Sequence, residues 1–174
     1  MRHRIVDSPV GPLALVVDDD GALCALYCDA QRHHPGPERL GERDDTIASE
    51  AVAQLGEYFA GERFDFDLPL APRGTPFQQR VWEGLRSIPA GQISTYGKVA
   101  ASLGSPGASR AVGAACARNP ISIVVPCHRV ISASGTLTGY AGGLERKRWL
   151  LDHEAKLATV EGAAVRRGEA LPRA

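Results

Sequence analysis

The sequence lacks any long apolar run, and no hydrophobic stretch approaches the roughly 20 residues that a membrane span requires. No apolar signal core follows the basic residues of the start MRHRIVDSPVG, so we expect a cytoplasmic protein. Only four cysteines occur among 174 residues, and a chain of this length can bury a core without cross-links. The cysteine content therefore favours a reducing compartment over a disulfide framework.

The sequence also lacks net charge, but its two halves carry charges of opposite sign. Residues 1–74 hold 7 Lys and Arg against 14 Asp and Glu, whereas residues 75–156 hold 10 against 4. A basic half indicates contact with a polyanion. Chance clustering on a solvated surface predicts the same counts and stays open as the alternative.

The first 74 residues predict a small α/β domain. The stretch RIVDSPVGPLALVVDDDGALCALYC indicates three strands joined by turns, with DDDG as a hairpin signal. A polar loop, QRHHPGPERLGERDD, separates these strands from a helix over TIASEAVAQLGEYFAGE, with Thr46 as its N-cap. The alternating segment RFDFDLPL predicts a further strand before APRGT ends the unit.

Residues 75–156 predict a mostly helical domain without internal repeats. Its first helix, TPFQQRVWEGLRSI, has Thr75 as N-cap and Pro76 at the first helical position. The segments TYGKVAASLG and ASRAVGAACARN predict two short helices joined by a glycine-containing turn, which is the helix-turn-helix pattern. The closing helix is LERKRWLLDHEAKL, and we expect residues 157–174 to be a disordered tail.

The second helix of this pair carries almost only small side chains. Its exposed face combines Arg110 with Gly113, Ala114 and Ala117, and offers no other group that reads base edges. Such a smooth face suits close approach to a narrow groove, with Arg110 inserted into the base stack. A tightly packed structural helix with an incidental surface arginine fits the same pattern.

Cys127 follows the segment ISIVV, which we interpret as a buried strand that Pro126 ends. His128 and Arg129 come next, and a nearby base or positive charge favours the thiolate, because a free thiol has a pKa of about 8.5. Neighbours on an extended chain point to opposite sides, so His128 is expected to reach Cys127 through a water or after a turn. A buried structural cysteine is the alternative.

Glu154 lies on the apolar face of the closing helix, where a carboxylate needs a partner. His128 as that partner would give a nucleophile, a base and an orienting carboxylate in the order Cys127, His128, Glu154. The alternative is that Glu154 pairs with Lys147 or Arg148 on a solvated surface.

Five segments carry a resemblance to a known family, in the order DSPVGPL, FQQRVW, SRAVGAACARNPISIVVPCHRVI, TGYAGG and LLDHE. They resemble the O6-alkylguanine-DNA alkyltransferases, also called methylated-DNA–protein-cysteine methyltransferases, most strongly over residues 75–156. The resemblance implies an α+β fold, with a small N-terminal α/β domain (a ribonuclease H-like sheet plus helix) at residues 1–74. A mostly helical C-terminal domain with a helix-turn-helix and the active site then occupies residues 75–156.

The resemblance implies direct reversal of DNA alkylation damage by stoichiometric, irreversible transfer of the alkyl group from O6-alkylguanine to a cysteine of the protein. Repair of O4-alkylthymine is left open. By the same resemblance Cys127 is the acceptor, and His128 and Glu154 form its proton relay through water. Asn119 is the hinge that links the recognition helix to the cysteine segment.

Further roles implied by the resemblance concern the flipped nucleotide. Arg110 fills the gap left by the base, and Tyr96 helps to rotate the phosphate and the base. The main-chain carbonyl of Val130, like that of the acceptor cysteine, accepts from the exocyclic amine of the guanine. Tyr140 donates to the guanine oxygen, and the main-chain amide at Ala141 serves as a second donor.

The expected partner is double-stranded DNA that contains O6-alkylguanine, bound through its minor groove by a monomer, with cooperative binding left open and no membrane contact. No metal or diffusible cofactor is required. The set Cys24, Cys28, His33 and His34 resembles a zinc site only superficially, since it does not match the pattern of the zinc-binding relatives.

Three other classes of protein share part of the pattern. Alkylguanine-binding proteins of the same fold mark damage without repairing it, but they lack the cysteine that Cys127 supplies. A helix-turn-helix regulator would not need a buried nucleophile, and a thiol hydrolase needs an oxyanion hole for which no motif is visible.

Overall fold

The computed structural model describes residues 1–167 of the 174-residue chain. The N-terminal part forms a four-stranded sheet in the order β3-β2-β1-β4, in which β1–β2 and β2–β3 are antiparallel and β1–β4 is parallel. The strands are β1 (Arg2–Val6), β2 (Leu13–Val17), β3 (Leu23–Cys28) and β4 (Glu42–Arg43). The three strands predicted from the sequence are therefore present.

Helix α1 (Ser49–Ala60) packs its buried Leu55 and Tyr58 into one core with strands β2 and β3. The prediction that Thr46 caps this helix is wrong. The N-cap position is Ala48, whose backbone is left-handed with φ 55°, and the Thr46 hydroxyl is instead bonded to Asp44. An aspartate two residues earlier thus captures the side chain that the sequence pattern assigned to the helix.

The predicted strand RFDFDLPL is also absent. Only Leu70 makes a bridge, a single parallel one with Leu23 of β3. The main chain of Asp67 is bonded in both directions by the Gln54 side chain of α1, at 2.9 Å each. Because the Gln54 side chain satisfies the hydrogen-bonding groups of the Asp67 backbone, this segment does not need a neighbouring strand as a partner.

The C-terminal part is mostly helical, as predicted. It comprises α2 (Pro76–Arg86), β5 (Ser94–Thr95), α3 (Tyr96–Ser102), α4 (Ser109–Ala117), β6 (Val130–Ile131) and α5 (Leu144–Arg167), with β5 and β6 paired in parallel. Thr75 and Gln78 form a reciprocal capping box at the start of α2. The buried Trp82 of α2 donates its indole N–H to the Ala115 carbonyl of α4 at 2.9 Å, which fixes the helix-turn-helix against α2.

The segment ISIVV is buried, but it is not the predicted strand. Ile121 makes one bridge with Leu26 at the edge of β3, and the chain then turns sharply. Ile123 has a left-handed backbone with φ 72°, and the Val124 N–H is bonded to the Ser122 carbonyl at 2.8 Å. This compact turn contains a β-branched residue in a strained conformation. It places Cys127 within hydrogen-bond distance of Asn119, just beyond the end of α4.

Helix α5 continues to Arg167, so residues 157–167 of the segment predicted as a disordered tail are helical. Residues 168–174, to which the same prediction applies, lie outside the described residues. Within residues 1–167, no helix combines the length and the apolar character needed to cross a membrane.

Candidate active site

Cys127 opens a short 3₁₀ turn, Cys127–Arg129, in which all three residues are buried. Its Sγ accepts a hydrogen bond of 3.1 Å from Asn119 Nδ2, and only 5% of the residue is exposed. The same Nδ2 donates to the Val125 carbonyl at 2.8 Å, and Asn119 Oδ1 accepts from the Ile121 N–H at 3.0 Å. Asn119, two residues beyond the end of α4, therefore connects this helix to the segment that contains Cys127.

The pKa of the Cys127 thiol lies above its ordinary value, although its basic neighbours in the sequence suggested that the thiolate is favoured. Burial raises the pKa of this thiol, and the Asn119 hydrogen bond and the charge of Lys147 lower it by less. Arg129 does not approach the sulfur, since its guanidinium is bonded to Glu154. For the sulfur to act as a nucleophile, a base would have to remove this proton.

Glu154 of α5 is fully buried and accepts hydrogen bonds from four groups. Oε1 accepts from His128 Nε2 at 2.8 Å, Tyr58 Oη at 2.7 Å and Arg129 Nη2 at 3.0 Å. Oε2 accepts from Arg129 Nε at 2.9 Å and more weakly from the Gly91 N–H at 3.4 Å. The structure therefore brings Glu154 to His128 as the sequence suggested, whereas the alternative partners Lys147 and Arg148 are not among its contacts.

The protonation states of this cluster follow from its geometry. Burial by itself raises the pKa of Glu154, but the hydrogen bonds from His128 and the Arg129 guanidinium outweigh it and hold the pKa well below its usual range. Burial lowers the pKa of His128, with the Glu154 bond opposing this by less. A neutral His128 that donates from Nε2 has its lone pair on Nδ1, so Nδ1 is the basic atom of the pair.

Two buried polar atoms of the site have no hydrogen-bond partner among residues 1–167, namely His128 Nδ1 and the Tyr140 hydroxyl. Nδ1 is an acceptor in the tautomer fixed by Glu154, and the hydroxyl is a donor, because burial raises the pKa of Tyr140 well above its usual value. Buried polar groups normally have partners. A proton acceptor and a proton donor are thus left unpaired in the buried site that contains Cys127.

The predicted guanine-contacting residues lie in the loop between β6 and α5 or are bonded to residues of that loop or of α5. The Tyr96 hydroxyl donates to the Thr138 carbonyl at 3.3 Å. The Val130 carbonyl accepts from Lys147 Nζ at 2.6 Å, and Nζ also donates to the Thr138 carbonyl at 2.9 Å. The carbonyl of Ala141 accepts from the Arg32 N–H at 2.8 Å. Lys147, which sequence reasoning considered only as a partner of Glu154, therefore holds this loop against β6.

The predicted DNA-facing side of α4 is open to solvent. Arg110 and Ala114 are exposed, and Gly113 and Ala117 are partly so, while Val112, Ala115 and Cys116 point into the core. Lys98 of α3 and Arg118 at the end of α4 are exposed positive charges of the same two helices.

Residues 1–167 contain no cluster of three or more His, Cys, Asp or Glu side chains able to hold a metal ion. The cysteines Cys24 and Cys28 are buried and free, and the His34 ring lies near Tyr27, with centroids 5.2 Å apart and the ring planes tilted by 57°. The set of Cys24, Cys28, His33 and His34 considered from the sequence is therefore not assembled as a ligand cage.

Tyr58 is the member of the site that sequence reasoning missed. It lies on α1, 96 residues from Glu154, and no local pattern connects the two. Its ring is fully buried, and the charge of Glu154 adds to the effect of burial in raising the pKa of its hydroxyl, so that it remains a donor. The N-terminal part of the chain thus contributes directly to the buried carboxylate.

We expect Tyr58→Phe to lower the free energy of unfolding by about 1.5–3 kcal/mol, because it removes a buried hydrogen bond to a charged acceptor. Urea denaturation at pH 7 measures the change. Tyr27→Phe is the matched control, since Tyr27 is a half-buried tyrosine of β3 that is not among the partners of Glu154. Equal losses in the two variants would show that the Glu154 bond contributes no stability.

Comparison with known proteins agrees with this geometry. Residues 1–72 match the family described as "6-O-methylguanine DNA methyltransferase, ribonuclease-like domain", and residues 76–156 match its "DNA binding domain". Methylated-DNA–protein-cysteine methyltransferases of Mycobacterium tuberculosis and Methanosarcina acetivorans are 48% and 47% identical to the chain. The alignments cover 92% and 88% of this chain and 96% and 98% of those proteins, respectively. The crystal structure of M. tuberculosis OGT in complex with DNA superposes with a TM-score of 0.83 at 49% identity, covering 90% of this chain and 94% of that one.

Proposed function

The chain belongs to the methylated-DNA–protein-cysteine methyltransferase family, and from this premise we propose that Cys127 is the cysteine that accepts the alkyl group. The protein reverses alkylation damage in DNA directly, by moving the alkyl group onto itself. The product is a thioether that is not cleaved again, so each molecule reacts once. The substrate we propose is O6-alkylguanine, flipped out of a duplex so that the thiol can reach the alkyl carbon.

The proposed reaction is a displacement at the alkyl carbon. The Cys127 proton passes to His128 Nδ1 through a water, and the sulfur forms a bond to carbon as the bond between that carbon and the guanine O6 breaks. The electron pair of the broken bond stays on the guanine, which Tyr140 stabilises by donating a hydrogen bond to O6. The guanine finally takes up one proton, which balances the one that Cys127 released.

One observation carries this assignment: the two unpartnered buried atoms, His128 Nδ1 and the Tyr140 hydroxyl, are the acceptor and the donor that such a displacement needs. Asn119 holds the sulfur in place through a bond to Sγ. Glu154 fixes the His128 tautomer through Nε2 and is kept ionised by Arg129. A structural cysteine would require none of these groups.

The DNA contact we propose is the minor groove, entered by the small-residue side of α4 as a monomer. Gly113, Ala114 and Ala117 allow close approach, and Arg110 replaces the flipped base in the stack. Lys98 and other exposed basic groups neutralise phosphates. The reaction consumes a reduced thiol, and the four cysteines are free, which is consistent with a cytoplasmic location.

The direct test is incubation with a duplex oligonucleotide whose O6-methylguanine carries a labelled methyl group. We expect the label to move to the protein in a ratio that stops at one methyl per molecule, while the DNA regains guanine. Binding of the duplex without transfer of label would instead indicate a damage-marking protein. Turnover well beyond one equivalent would contradict a single-use acceptor.

Arg110→Ala should slow repair of a methylated duplex by at least about tenfold, because unstacking a base costs a few kcal/mol that the inserted arginine offsets. Reaction with the free base O6-benzylguanine should change less than about twofold, since no base pair must open. Arg118→Ala is the control, because it removes the same charge from the other end of α4. If both variants lose duplex repair equally, Arg110 contributes only positive charge.

A further inference from the structure

Arg146, in the first turn of α5, contacts three main-chain carbonyls from three separate segments. Its Nε donates to the Val10 carbonyl at 2.7 Å, and Nη1 donates to the carbonyls of Asp29 and Gly142 at 2.8 and 3.0 Å. Val10 lies between β1 and β2, and Asp29 directly follows β3, so both belong to loops at the ends of strands of the N-terminal sheet. The third carbonyl belongs to the loop before α5, which carries Tyr140.

This guanidinium is used for main-chain carbonyls alone, since no carboxylate lies within ion-pair distance of it in the part of the chain that the structure describes. A planar guanidinium offers five donors in a fixed arrangement, which an ammonium group cannot reproduce across three segments. Gly11 leaves room for it: a Cβ there would lie 3.3 Å from Arg146 Nη2, and the backbone has φ 96°. Both the guanidinium of Arg146 and the lack of a side chain at Gly11 therefore contribute to this contact.

The loop segment that Arg146 holds determines where the Tyr140 side chain stands. Gly142 lies directly against the Tyr140 ring, because a Cβ on Gly142 would come within 2.7 Å of Cε1. Between them, the Ala141 carbonyl accepts from the Arg32 N–H at 2.8 Å, a second bond to the N-terminal part. The segment Tyr140–Gly142 is thus held in place by these contacts. The buried Tyr140 hydroxyl still has no hydrogen-bond partner among residues 1–167.

We propose that Arg146 is a positioning residue for the alkyl-transfer reaction: it anchors the Tyr140 loop to the N-terminal sheet and so aims the Tyr140 hydroxyl at the guanine. The inference rests on the proposed function and gives the N-terminal domain a part in the chemistry. Arg146 acts on the leaving group through Tyr140 and Gly142, and it has no part in generating the thiolate, which depends on His128 and Glu154.

This division predicts that two probes of the same cysteine respond differently. The free base O6-benzylguanine needs both the nucleophile and the Tyr140 loop, whereas iodoacetamide needs only the nucleophile. Arg146→Ala should lower the second-order rate constant for O6-benzylguanine at least about tenfold. The rate of Cys127 alkylation by iodoacetamide should stay within about twofold of the parent. Both are measured on the full chain by intact-protein mass spectrometry, with circular dichroism to verify folding.

Two further variants sharpen the test. Arg148→Ala is the matched control, because Arg148 is an exposed arginine on the same helix, and it should react like the parent with both probes. Arg146→Lys keeps the charge but not the three-way geometry, so it should fall between the parent and Arg146→Ala and serves if the alanine variant does not fold.

Three outcomes are decisive. Unchanged O6-benzylguanine reactivity in both Arg146 variants would overturn the inference. A parallel loss with both probes would also overturn it, because it would indicate a general structural role. A parent protein that reacts with iodoacetamide but with no O6-alkylguanine would instead contradict the proposed function itself.

Discussion

Cys127→Ala should abolish alkyl transfer to below detection, because the alkyl group then has no acceptor sulfur. Peptide mass analysis of the parent after reaction should place a single methyl group on the peptide that contains Cys127. All four cysteines are buried and free, so burial alone does not distinguish them. In the function that we propose, what distinguishes Cys127 is the adjacent base, His128, whose Nδ1 receives its proton.

The other thiols near the site provide the controls for this result. Burial raises the pKa of Cys28 to about 11 and raises that of Cys116 as well. Neither thiol has a histidine next to it in the chain, whereas Cys127 is followed directly by His128. Cys28→Ala and Cys116→Ala should therefore keep transfer within a few-fold of the parent. Methyl groups on either residue, or transfer surviving in Cys127→Ala, would contradict the assignment.

The parts of the fold that the sequence predicted are those with a local cause. Thr75 and Gln78 supply both hydrogen bonds of the capping box, and Pro76 takes the first helical position, so α2 begins where expected. The burial of Glu154 was predicted from helical spacing alone, because the spacing places it on the apolar face of α5. A buried carboxylate there required a partner. The exposed side of α4 was predictable for the same reason, since a period of 3.6 residues separates Arg110 from the core positions.

The parts that could not be predicted depend on contacts between distant segments. The ISIVV segment has the composition of a strand, yet Ile123 adopts φ 72° because the turn must meet both the edge of β3 and the end of α4. Arg129 follows Cys127 by two residues, which suggested a role toward the sulfur, but in the 3₁₀ turn its side chain is bonded to Glu154. The bond from Tyr58 joins residues that no periodicity relates.

His128→Asn should change the pH dependence of alkyl transfer as well as its rate. In the parent, burial lowers the pKa of His128 from its usual value of about 6.5. The neutral base is therefore available from pH 6.5 to 8.5, and the transfer rate should be nearly independent of pH in this range. Without the base, only thiolate formed by solvent reacts. Because burial raises the thiol pKa, the rate should then rise about tenfold per pH unit across the same range.

At pH 7 the loss in His128→Asn should be roughly 10²–10⁴-fold, the usual contribution of a positioned general base. Glu154→Gln keeps the volume but removes the charge that stabilises a protonated His128, and it should give a comparable loss. The double variant should cost little more than either single one, because groups that act as one unit are not additive. Losses that multiply, or pH profiles parallel to that of the parent, would show that no relay operates.

The two single variants differ in what they leave behind. His128→Asn preserves the bidentate pair between Glu154 and Arg129, whereas Glu154→Gln leaves a buried guanidinium without its counter-charge. An unpaired buried charge costs about 3–5 kcal/mol, so Glu154→Gln must be assayed where circular dichroism shows it folded. Iodoacetamide separates the remaining possibilities. If His128 generates the thiolate, its loss must slow this reagent as strongly as it slows O6-benzylguanine, the reverse of the selective loss expected for Arg146→Ala.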